Sequence, residues 1–379
     1  MDEELDLMPD PVCQSAEPAP EEKQKKKMAG WLKGLLITVA VILILLLMIG
    51  IVAFNWIWYL TGRPTRADGN QTGEDPKTHQ TQQEADKSEV EDATPMNPDD
   101  EGNLPDVDDI PTPPDDNPPI QKEKDVVNIL IVGQDSKNTN IRTRSDTMIM
   151  VTVHTKAKQV TLTSFMRDAY VKIPGYSSNK LNSAYEKGGL SLLNETLKVN
   201  FGIEIDGNVI IDFNSFKDII NMLGGVDISL TAKEAEYMVN GGKHNVKPGM
   251  NRLNGQQALD YARLREIDND YKRANRQRTV MLSLIERYKT LPLLEMVDLV
   301  DDILPFLVTD MERDYIMELV FKCGPVAPVA SYGTQQIPAD GTYKQGYVQV
   351  REGLKNWFQY NIDFDKNRDI IESIMNGRR

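Results

Sequence analysis

Apolar and polar positions divide the chain into three successive patterns. Residues 34–60 are almost continuously apolar, residues 61–124 are rich in Pro, Asp, Glu, Gln and Thr, and residues 125–379 mix short apolar runs with helical periodicity. These changes predict a membrane span, a disordered linker and one folded domain, in that order. The predicted boundaries are 1–33 for a short tail, 34–60 for the span, 61–124 for the linker and 125–379 for the domain.

Within 125–379, strand-like and helical segments alternate. Short apolar or alternating runs indicate strands, and apolar residues three and four apart indicate helices. The predicted strands are 126–132, 147–153, 159–165 and 209–211, and the predicted helices are 182–200, 212–223, 254–261, 271–288, 293–300 and 310–321. This order predicts an α/β fold, a single domain with a central mixed β-sheet sandwiched by helices.

The stretch 34–60 is long enough to span a membrane, since a helix crosses a bilayer with about 20 apolar residues. Lys residues precede it and an acidic run follows it, so the positive-inside rule places the N-terminus in the cytoplasm and the domain outside the cell. A cleavable signal peptide is the alternative, but its apolar core would be only about 7–15 residues long. The sequence therefore predicts an uncleaved, single-pass anchor in the lipid bilayer.

The charge distribution bears on the class of partner. The formal net charge of −14 falls mainly on the tail and linker, which leaves the folded domain close to neutral. A neutral domain is not steered to nucleic acid, and the short tail has no recognition helix, so no nucleic-acid partner is expected. With 2 Cys and 3 His in the whole chain, a disulfide framework or a zinc site built on these residues is also not expected.

A cationic cluster is predicted at the start of the helix 271–288. Its apolar stripe contains Val280 and Met281, and steps of three and four residues continue that face to Gln277, Arg276 and Arg273. A buried cation needs an anion, so protein carboxylates or a bound phosphate must complete the cluster. The N-terminus of the helix adds a dipole that favours anions.

Acidic and basic residues also flank three predicted strands. Asp135 follows the first strand, Arg144 and Asp146 precede the second, and Arg167 and Asp168 follow the third. Two strand-end carboxylates suit a hard divalent cation such as Mg²⁺. A strand-end Asp is also an ordinary turn residue, and neighbouring Arg and Asp residues also form ordinary surface salt bridges.

The order of these motifs resembles the LytR-CpsA-Psr family. The resemblance covers about residues 125–289, and the segment to about 360 is similar to the less patterned end of the family's domain. One departure is Lys137, where the family usually has Arg. The motifs are Gly133-x-Asp135, Arg144-Ser145-Asp146-Thr147, Arg167-Asp168, Lys180-Leu181-Asn182-Ser183-Ala184-Tyr185, Gly224-Gly225-Val226-Asp227, Leu253-x-Gly255-x-x-Ala258-Leu259, Arg263-x-Arg265 and Asp270-x-x-Arg273-x-x-Arg276-Gln277.

The resemblance implies a membrane-anchored phosphotransferase in a Gram-positive-type bacterial envelope. Such a protein moves a glycopolymer, of teichoic acid or capsule type, from a polyprenyl pyrophosphate carrier to peptidoglycan through a phosphodiester. It would use Mg²⁺, or Mn²⁺, at the pyrophosphate and hold the lipid in an apolar pocket. The residues implied are Arg144, Arg167, Asp168, Arg263, Arg265, Asp270 and Arg273 for catalysis, Lys137, Arg276 and Gln277 for substrate binding, and Asp135 and Asp146 for the metal.

Two questions stay open at the level of sequence. Asp168 and Asp270 either orient the arginines or act as base on the acceptor hydroxyl. The activity is a transferase, a hydrolase of the same lipid pyrophosphate, or a non-enzymatic envelope regulator, as the family's historical name suggests.

Overall fold

The computed structural model describes residues 93–96, 100, 104–114, 118–134 and 144–378. The predicted span 34–60, much of the predicted linker and the segment 135–143 lie outside the described residues. Among the residues that are described, no helix combines the length and the apolar character that crossing a bilayer requires.

The described chain contains short and long strands and helices in a mixed order. The strands are β1 (Thr94–Pro95), β2 (Val126–Gln134), β3 (Ser145–His154), β4 (Gln159–Phe165), β5 (Tyr170–Val171), β6 (Asn179–Lys180), β7 (Gly207–Ile211), β8 (Val226–Leu230), β9 (Gly249–Leu253), β10 (Val308–Thr309), β11 (Ser331–Ile337), β12 (Lys344–Arg351) and β13 (Leu354–Tyr360). The helices are α1 (Leu181–Phe201), α2 (Phe213–Met222), α3 (Ala232–Asn240), α4 (Gly255–Arg263), α5 (Asp270–Tyr288), α6 (Leu293–Ile303), α7 (Arg313–Cys323) and α8 (Phe364–Met375).

A six-stranded mixed sheet forms the centre, in the order β10-β7-β2-β3-β4-β11. Strands β2 and β3 and strands β3 and β4 pair antiparallel, whereas β2 with β7 and β4 with β11 pair parallel. The predicted mixed sheet with helices on its faces is therefore confirmed. The predicted helix 182–200 is interrupted, because Gly189 has φ 65° inside α1, a conformation that glycine adopts without steric cost.

One face of the sheet carries the main core. Side chains alternate along a strand, so Leu130, Val132, Met148 and Met150 share this face and are almost fully buried. Helices α1 and α8 cover it with apolar side chains that include Leu197. Helix α8 lies after residue 360, beyond the end of the resemblance, and its apolar side chains are part of the core.

The opposite face is covered differently. Ile131, Ile149 and Ile211 point to this side, and α2, α4 and α5 approach it from a second apolar cluster that includes Tyr261 and Val280. The cover does not close completely, and a cavity of about 670 Å³ remains between the sheet and the helices. This cavity is the space in which a ligand can be placed.

Parts of the predicted linker belong to the domain. Strand β1 pairs with β13, Val107 and Ile110 are buried against β12 and β13, and Ile120 is buried in the main core. The prediction of disorder up to residue 124 is therefore wrong for these segments. The error has a physical cause: isolated apolar residues in a polar stretch contribute little locally, and they are buried only because the distant strands exist.

Candidate functional site

The cavity is lined mainly by apolar side chains and also by charged ones. Most of its wall is aliphatic and aromatic, from the sheet on one side and from α2, α4 and α5 on the other. Asp146, Arg265 and Arg273, which are joined by contacts to Asp146 or Asp270, form what we call the charged end. Arg263 and Gln277 line the cavity as well, and so do the acidic residues Asp212, Asp260 and Glu266. An elongated apolar ligand with a strongly anionic head matches this combination of surfaces.

Asp146 and Arg167 connect two strand ends at the charged end. Asp146 lies at the start of β3, and its Oδ1 is 2.7 Å from Arg167 Nη1. Arg265 Nη2 lies 3.6 Å from the same oxygen, and Arg273 Nη2 donates a hydrogen bond of 3.3 Å to the Asp146 carbonyl. Residues far apart in sequence therefore meet here, as the predicted site requires.

Asp270 is the second anionic centre of the cluster. Its carboxylate lies 3.4 Å from Arg265 Nε, 3.5 Å from Arg167 Nη2 and 3.5 Å from Arg273 Nε. Asp270 is the first residue of α5, where Asn269 caps the helix by accepting a hydrogen bond from Lys272 N. The cap thus fixes both Asp270 and, one turn later, Arg273.

Asp168 completes the group next to Arg167. Its Oδ2 lies 3.2 Å from Arg167 Nε and its Oδ1 lies 3.5 Å from Lys180 Nζ. Lys180 was quoted only as part of a motif, and no role was predicted for it. The position of Lys180 just before α1 does not indicate that its side chain contacts Asp168, near the end of β4.

The electrostatics of the cluster shift two pKa values. Burial raises the pKa of Asp270, and the neighbouring Asp168 carboxyl raises it further, although Arg167 and Arg265 act in the opposite direction. Burial would lower the pKa of Arg167, but Asp168, Asp270 and Asp146 outweigh it, so that pKa is raised. Arg167 is thus held charged, and Asp270 binds a proton more readily than an ordinary carboxylate.

Arg273 carries an unsatisfied donor. The residue is only 6% exposed, and within the described residues its buried Nε makes no hydrogen bond but lies 3.5 Å from the Asp270 carboxylate, an ion pair. A buried guanidinium N–H without a hydrogen-bond acceptor is costly, and the charge of Asp270 offsets part of that cost.

Arg263 and Gln277 line the cavity from two helices. Arg263 is the last residue of α4, and its guanidinium lies 4.3 Å from the centre of the Phe213 ring, a cation–π contact. Helix α4 begins with a capping box in which Asn254 and Gln257 satisfy each other's backbone N–H groups. Phe213 falls at the start of the predicted helix 212–223, and nothing in the sequence indicated its contact with Arg263.

Arg144 lies near the strand ends but outside the residues that line the cavity. Its Nε is 2.8 Å from Glu186 Oε2 on α1. Glu186 was not predicted as part of the site, because a lone acid on a helix surface gives no signal of its own. Asp135 and Lys137 belong to the segment 135–143 and lie outside the described residues.

Arg276 does not reach the cavity, and its predicted part in substrate binding is not supported. The residue is 4% exposed, and its guanidinium contacts Glu234 Oε1 at 2.7 Å, the Leu264 carbonyl at 2.9 Å and the Asp268 carboxylate. One residue is a turn of 100° around a helix, so Gln277 faces the cavity while Arg276 faces α3. Arg276 instead clamps the loop that presents Arg265.

The donor set fits magnesium only in part. Mg²⁺ typically takes one or two carboxylates and completes its octahedron with water and substrate phosphate. Asp146 provides one such carboxylate at the charged end, and both of its ion pairs involve Oδ1. No group of three His, Cys, Asp or Glu side chains that could hold a metal occurs in the part of the chain that the structure describes.

The comparison with protein families identifies the chain. The model of the LytR_cpsA_psr family matches residues 69–361. The chain belongs to the LytR-CpsA-Psr family. The match begins before residue 93, so it includes the folded segments that composition alone had assigned to the linker.

Curated relatives in this family carry two kinds of name. The "Polyisoprenyl-teichoic acid--peptidoglycan teichoic acid transferase TagT" of Bacillus subtilis (strain 168) is 33% identical over 44% of this chain and 54% of its own length. The "Regulatory protein MsrR" of Staphylococcus aureus (strain COL) is 38% identical over 42% of this chain and 48% of its own length. The chain thus spans about half the length of the curated relatives it matches.

A solved structure shows the same fold. The structure of "TagT bound to LIIa-WTA" has a TM-score of 0.54 and 25% sequence identity, over 67% of this chain and 91% of that chain. This similarity agrees with the mixed sheet and helices described above.

Proposed function

We propose that the protein is a membrane-anchored glycopolymer transferase. It would move a teichoic-acid-like or capsular polymer from a polyprenyl pyrophosphate carrier to peptidoglycan through a phosphodiester. The observation that carries the proposal is the cavity of about 670 Å³ whose lining combines a largely apolar wall with Arg263, Arg265 and Arg273. The transferase name of the relative TagT supports the same reaction.

The apolar wall suits the lipid and the charged end suits the pyrophosphate. Burial of apolar chain contributes about 0.8 kcal/mol per CH₂ group, so even a partly enclosed polyprenyl tail is held firmly. Arg offers planar pairs of donors that match phosphate oxygens and keeps its charge at any physiological pH. Arg273 lines the cavity and is one of the donors that the headgroup would meet.

The transfer forms one bond and breaks one. The oxygen of an acceptor hydroxyl attacks the phosphorus that carries the polymer, and the bond between that phosphorus and the bridging oxygen breaks. Polyprenyl monophosphate leaves with the bridging oxygen, and the polymer becomes joined to the acceptor through a phosphodiester. Arg167, Arg265 and Arg273 stabilise the charge on the phosphoryl oxygens by position alone, without a covalent intermediate.

The hydroxyl proton goes to a carboxylate, and we assign that role to Asp270. Burial raises its pKa above the ordinary value, which makes its ionised form the stronger base. Asp168 would then orient Arg167 and Lys180, both of which it contacts.

We also propose that Asp146 binds Mg²⁺ together with Asp135. The metal would neutralise charge on the pyrophosphate. Titration of the protein with Mn²⁺, followed by electron paramagnetic resonance, tests this without an activity readout: Asp146→Ala should abolish ordered Mn²⁺ binding, and unchanged binding would exclude Asp146 as a ligand.

The anchor and the topology belong to the same proposal. The charge pattern around residues 34–60 supports an N-terminus in the cytoplasm and the domain on the outer surface of the cell membrane. A domain held at the membrane meets a lipid-borne donor at a high effective concentration.

The test uses the full-length protein in nanodiscs with a polyprenyl pyrophosphate-linked polymer and peptidoglycan. We expect polymer to become covalently attached and polyprenyl monophosphate to appear in equal amount. Arg265→Ala should lower both by at least about 100-fold, the loss expected when a donor to the developing charge is removed. Lys198→Ala is the matched control, because Lys198 is an exposed cation paired with Glu204 away from the cavity.

The same assay separates the alternatives. Release of polymer phosphate at one rate with and without peptidoglycan would identify a hydrolase. Absence of both products in the wild-type protein, with the lipid still bound, would favour a regulator, the role that the name of the relative MsrR suggests for that protein.

A further inference from the structure

The small sheet formed by β12 and β13 presents two aromatic side chains to solvent. Tyr347 and Trp357 lie opposite each other on adjacent strands, and each is 42% exposed. Their ring centres are 5.3 Å apart and their planes make an angle of 85°. Each ring thus restrains the other, and both remain accessible.

Further contacts hold the pair in place. Lys355 Nζ lies 4.7 Å from the centre of the Tyr347 ring and also pairs with the Asp100 carboxylate. The other face of the same strands is occupied, since Val348 and Phe358 are buried in a separate apolar cluster. The exposed rings are therefore additional to the core of this sheet.

The strand that carries Trp357 runs beside the candidate site. Gln359 lies two residues after Trp357, on the same side of β13, and its backbone N–H donates to the Asp168 carbonyl at 2.8 Å. On the opposite, buried face of β13, the Phe358 ring lies 5.6 Å from Lys180 Nζ, which in turn contacts Asp168.

We propose that Trp357 and Tyr347, with the amides of Gln345 and Gln349 beside them, form a binding surface for the glycan strand of the acceptor. The proposal rests on the transferase function, which requires an acceptor polymer to approach Asp168 and Asp270. A sugar ring has a face of C–H groups that packs on the electron-rich face of an aromatic ring, and hydroxyls that pair with amides.

The surrounding residues favour a sugar over other partners. On the face that carries the two rings, the neighbouring side chains of β12 are the amides Gln345 and Gln349. Lys355, the cation beside Tyr347 on the adjacent strand, is paired with Asp100. A nucleic acid or an anionic membrane surface would require several unpaired cations.

The test measures glycan binding by the full-length protein in detergent, separately from transfer. Soluble peptidoglycan glycan strands freed of their stem peptides are titrated by calorimetry. We expect Trp357→Ala to weaken binding about 10-fold, as expected for loss of one aromatic stacking surface. Trp357→Phe should restore affinity to within about 3-fold of the wild type, because the ring returns.

Phe321→Ala is the matched control, since Phe321 is an aromatic residue 53% exposed on α7. Unchanged affinity of the Trp357→Ala variant would overturn the proposal, and so would binding of the stem peptides in place of the glycan. If transfer is absent but glycan binding still depends on Trp357, the transferase function fails and the binding surface stands. If transfer occurs and glycan affinity is the same with and without the Trp357 ring, only the proposed binding surface is refuted.

Discussion

Arg276→Ala tests whether a deeply buried guanidinium near the site is structural. The substitution removes the partner of two carboxylates, Glu234 and Asp268, and also leaves the Leu264 carbonyl without its donor. Breaking a buried ion pair by deleting one partner costs about 3–5 kcal/mol. The Asp268 side chain is 24% exposed and recovers some hydration, so the lower end, about 3 kcal/mol, is expected.

That loss should be visible in thermal unfolding. In a domain of this size 1 kcal/mol lowers Tm by about 2–4 °C, so Arg276→Ala should lower it by about 6–12 °C. Circular dichroism measures the shift, and binding of the lipid pyrophosphate is measured at a temperature where both proteins are folded. Lipid affinity is expected to stay within about 2-fold of the wild type.

The effect should also depend on pH. Arg276 donates to Glu234 and, against the effect of burial, lowers the pKa of that carboxyl below its ordinary value of 4.5. A lowered folded-state pKa stabilises the fold above pH 4.5, and this contribution is lost as pH falls through the lowered value. The difference in stability between wild type and variant should therefore shrink below pH 4.5. Loss of lipid binding at an unchanged Tm would refute the structural role.

The remaining predictions concern the base, the cavity and the packing of α4. Asp270→Asn should lower kcat about 10²–10⁴-fold, and an unchanged kcat would exclude Asp270 as the base. Because burial raises the pKa of Asp270, the wild-type rate should fall with decreasing pH around a value above the ordinary carboxyl pKa of 3.8. Met281→Trp should fill part of the apolar cavity and weaken binding of a long polyprenyl pyrophosphate about 10-fold, the equivalent of two excluded CH₂ groups. A short-chain pyrophosphate should bind as before, and equal losses for both lipids would contradict the assignment of the lipid tail to this wall. Gly255→Ala should lower the free energy of unfolding by about 1–3 kcal/mol, measured with urea, because the new methyl group would overlap the Lys217 backbone on α2. An unaltered urea midpoint would show that α4 can move away from α2.

The elements with strong local patterns were predictable from sequence. Strands β2, β3 and β4 and helix α5 fall close to their predicted bounds, because their apolar periodicity is sustained over many residues. The short strands β8 and β9, helix α3 and the C-terminal strands were not predicted, since their pairing depends on distant partners. Val107 and Ile120 show the same limit in the predicted linker, where only tertiary contacts bury them.

The candidate site was predictable in kind but not in detail. Motif order brought Asp146, Arg167, Arg265 and Asp270 to one cluster, and the structure places their side chains within ion-pair distance. Arg276 was misplaced because helical periodicity alone cannot show which edge of an apolar stripe faces the cavity and which faces a neighbouring helix. Acids such as Glu234 were missed because the sequence around Glu234 indicates only a helix cap and gives no sign that the same side chain also binds an arginine.

The internal pairing of the site has a consequence for ligand selection. Arg167, Arg265 and Arg273 already face Asp146, Asp168 and Asp270, so a headgroup has to displace intramolecular competitors as well as salt ions. The carboxylates are part of the same chain, so they pair with the arginines without losing translational entropy. A monovalent anion gains too little binding free energy to replace them, whereas a pyrophosphate contacts several guanidinium groups at once. The site therefore selects ligands by their charge. Affinity should change little with added chloride and should fall sharply from pyrophosphate to monophosphate. Under the proposed transferase function, this difference would favour release of the spent lipid carrier.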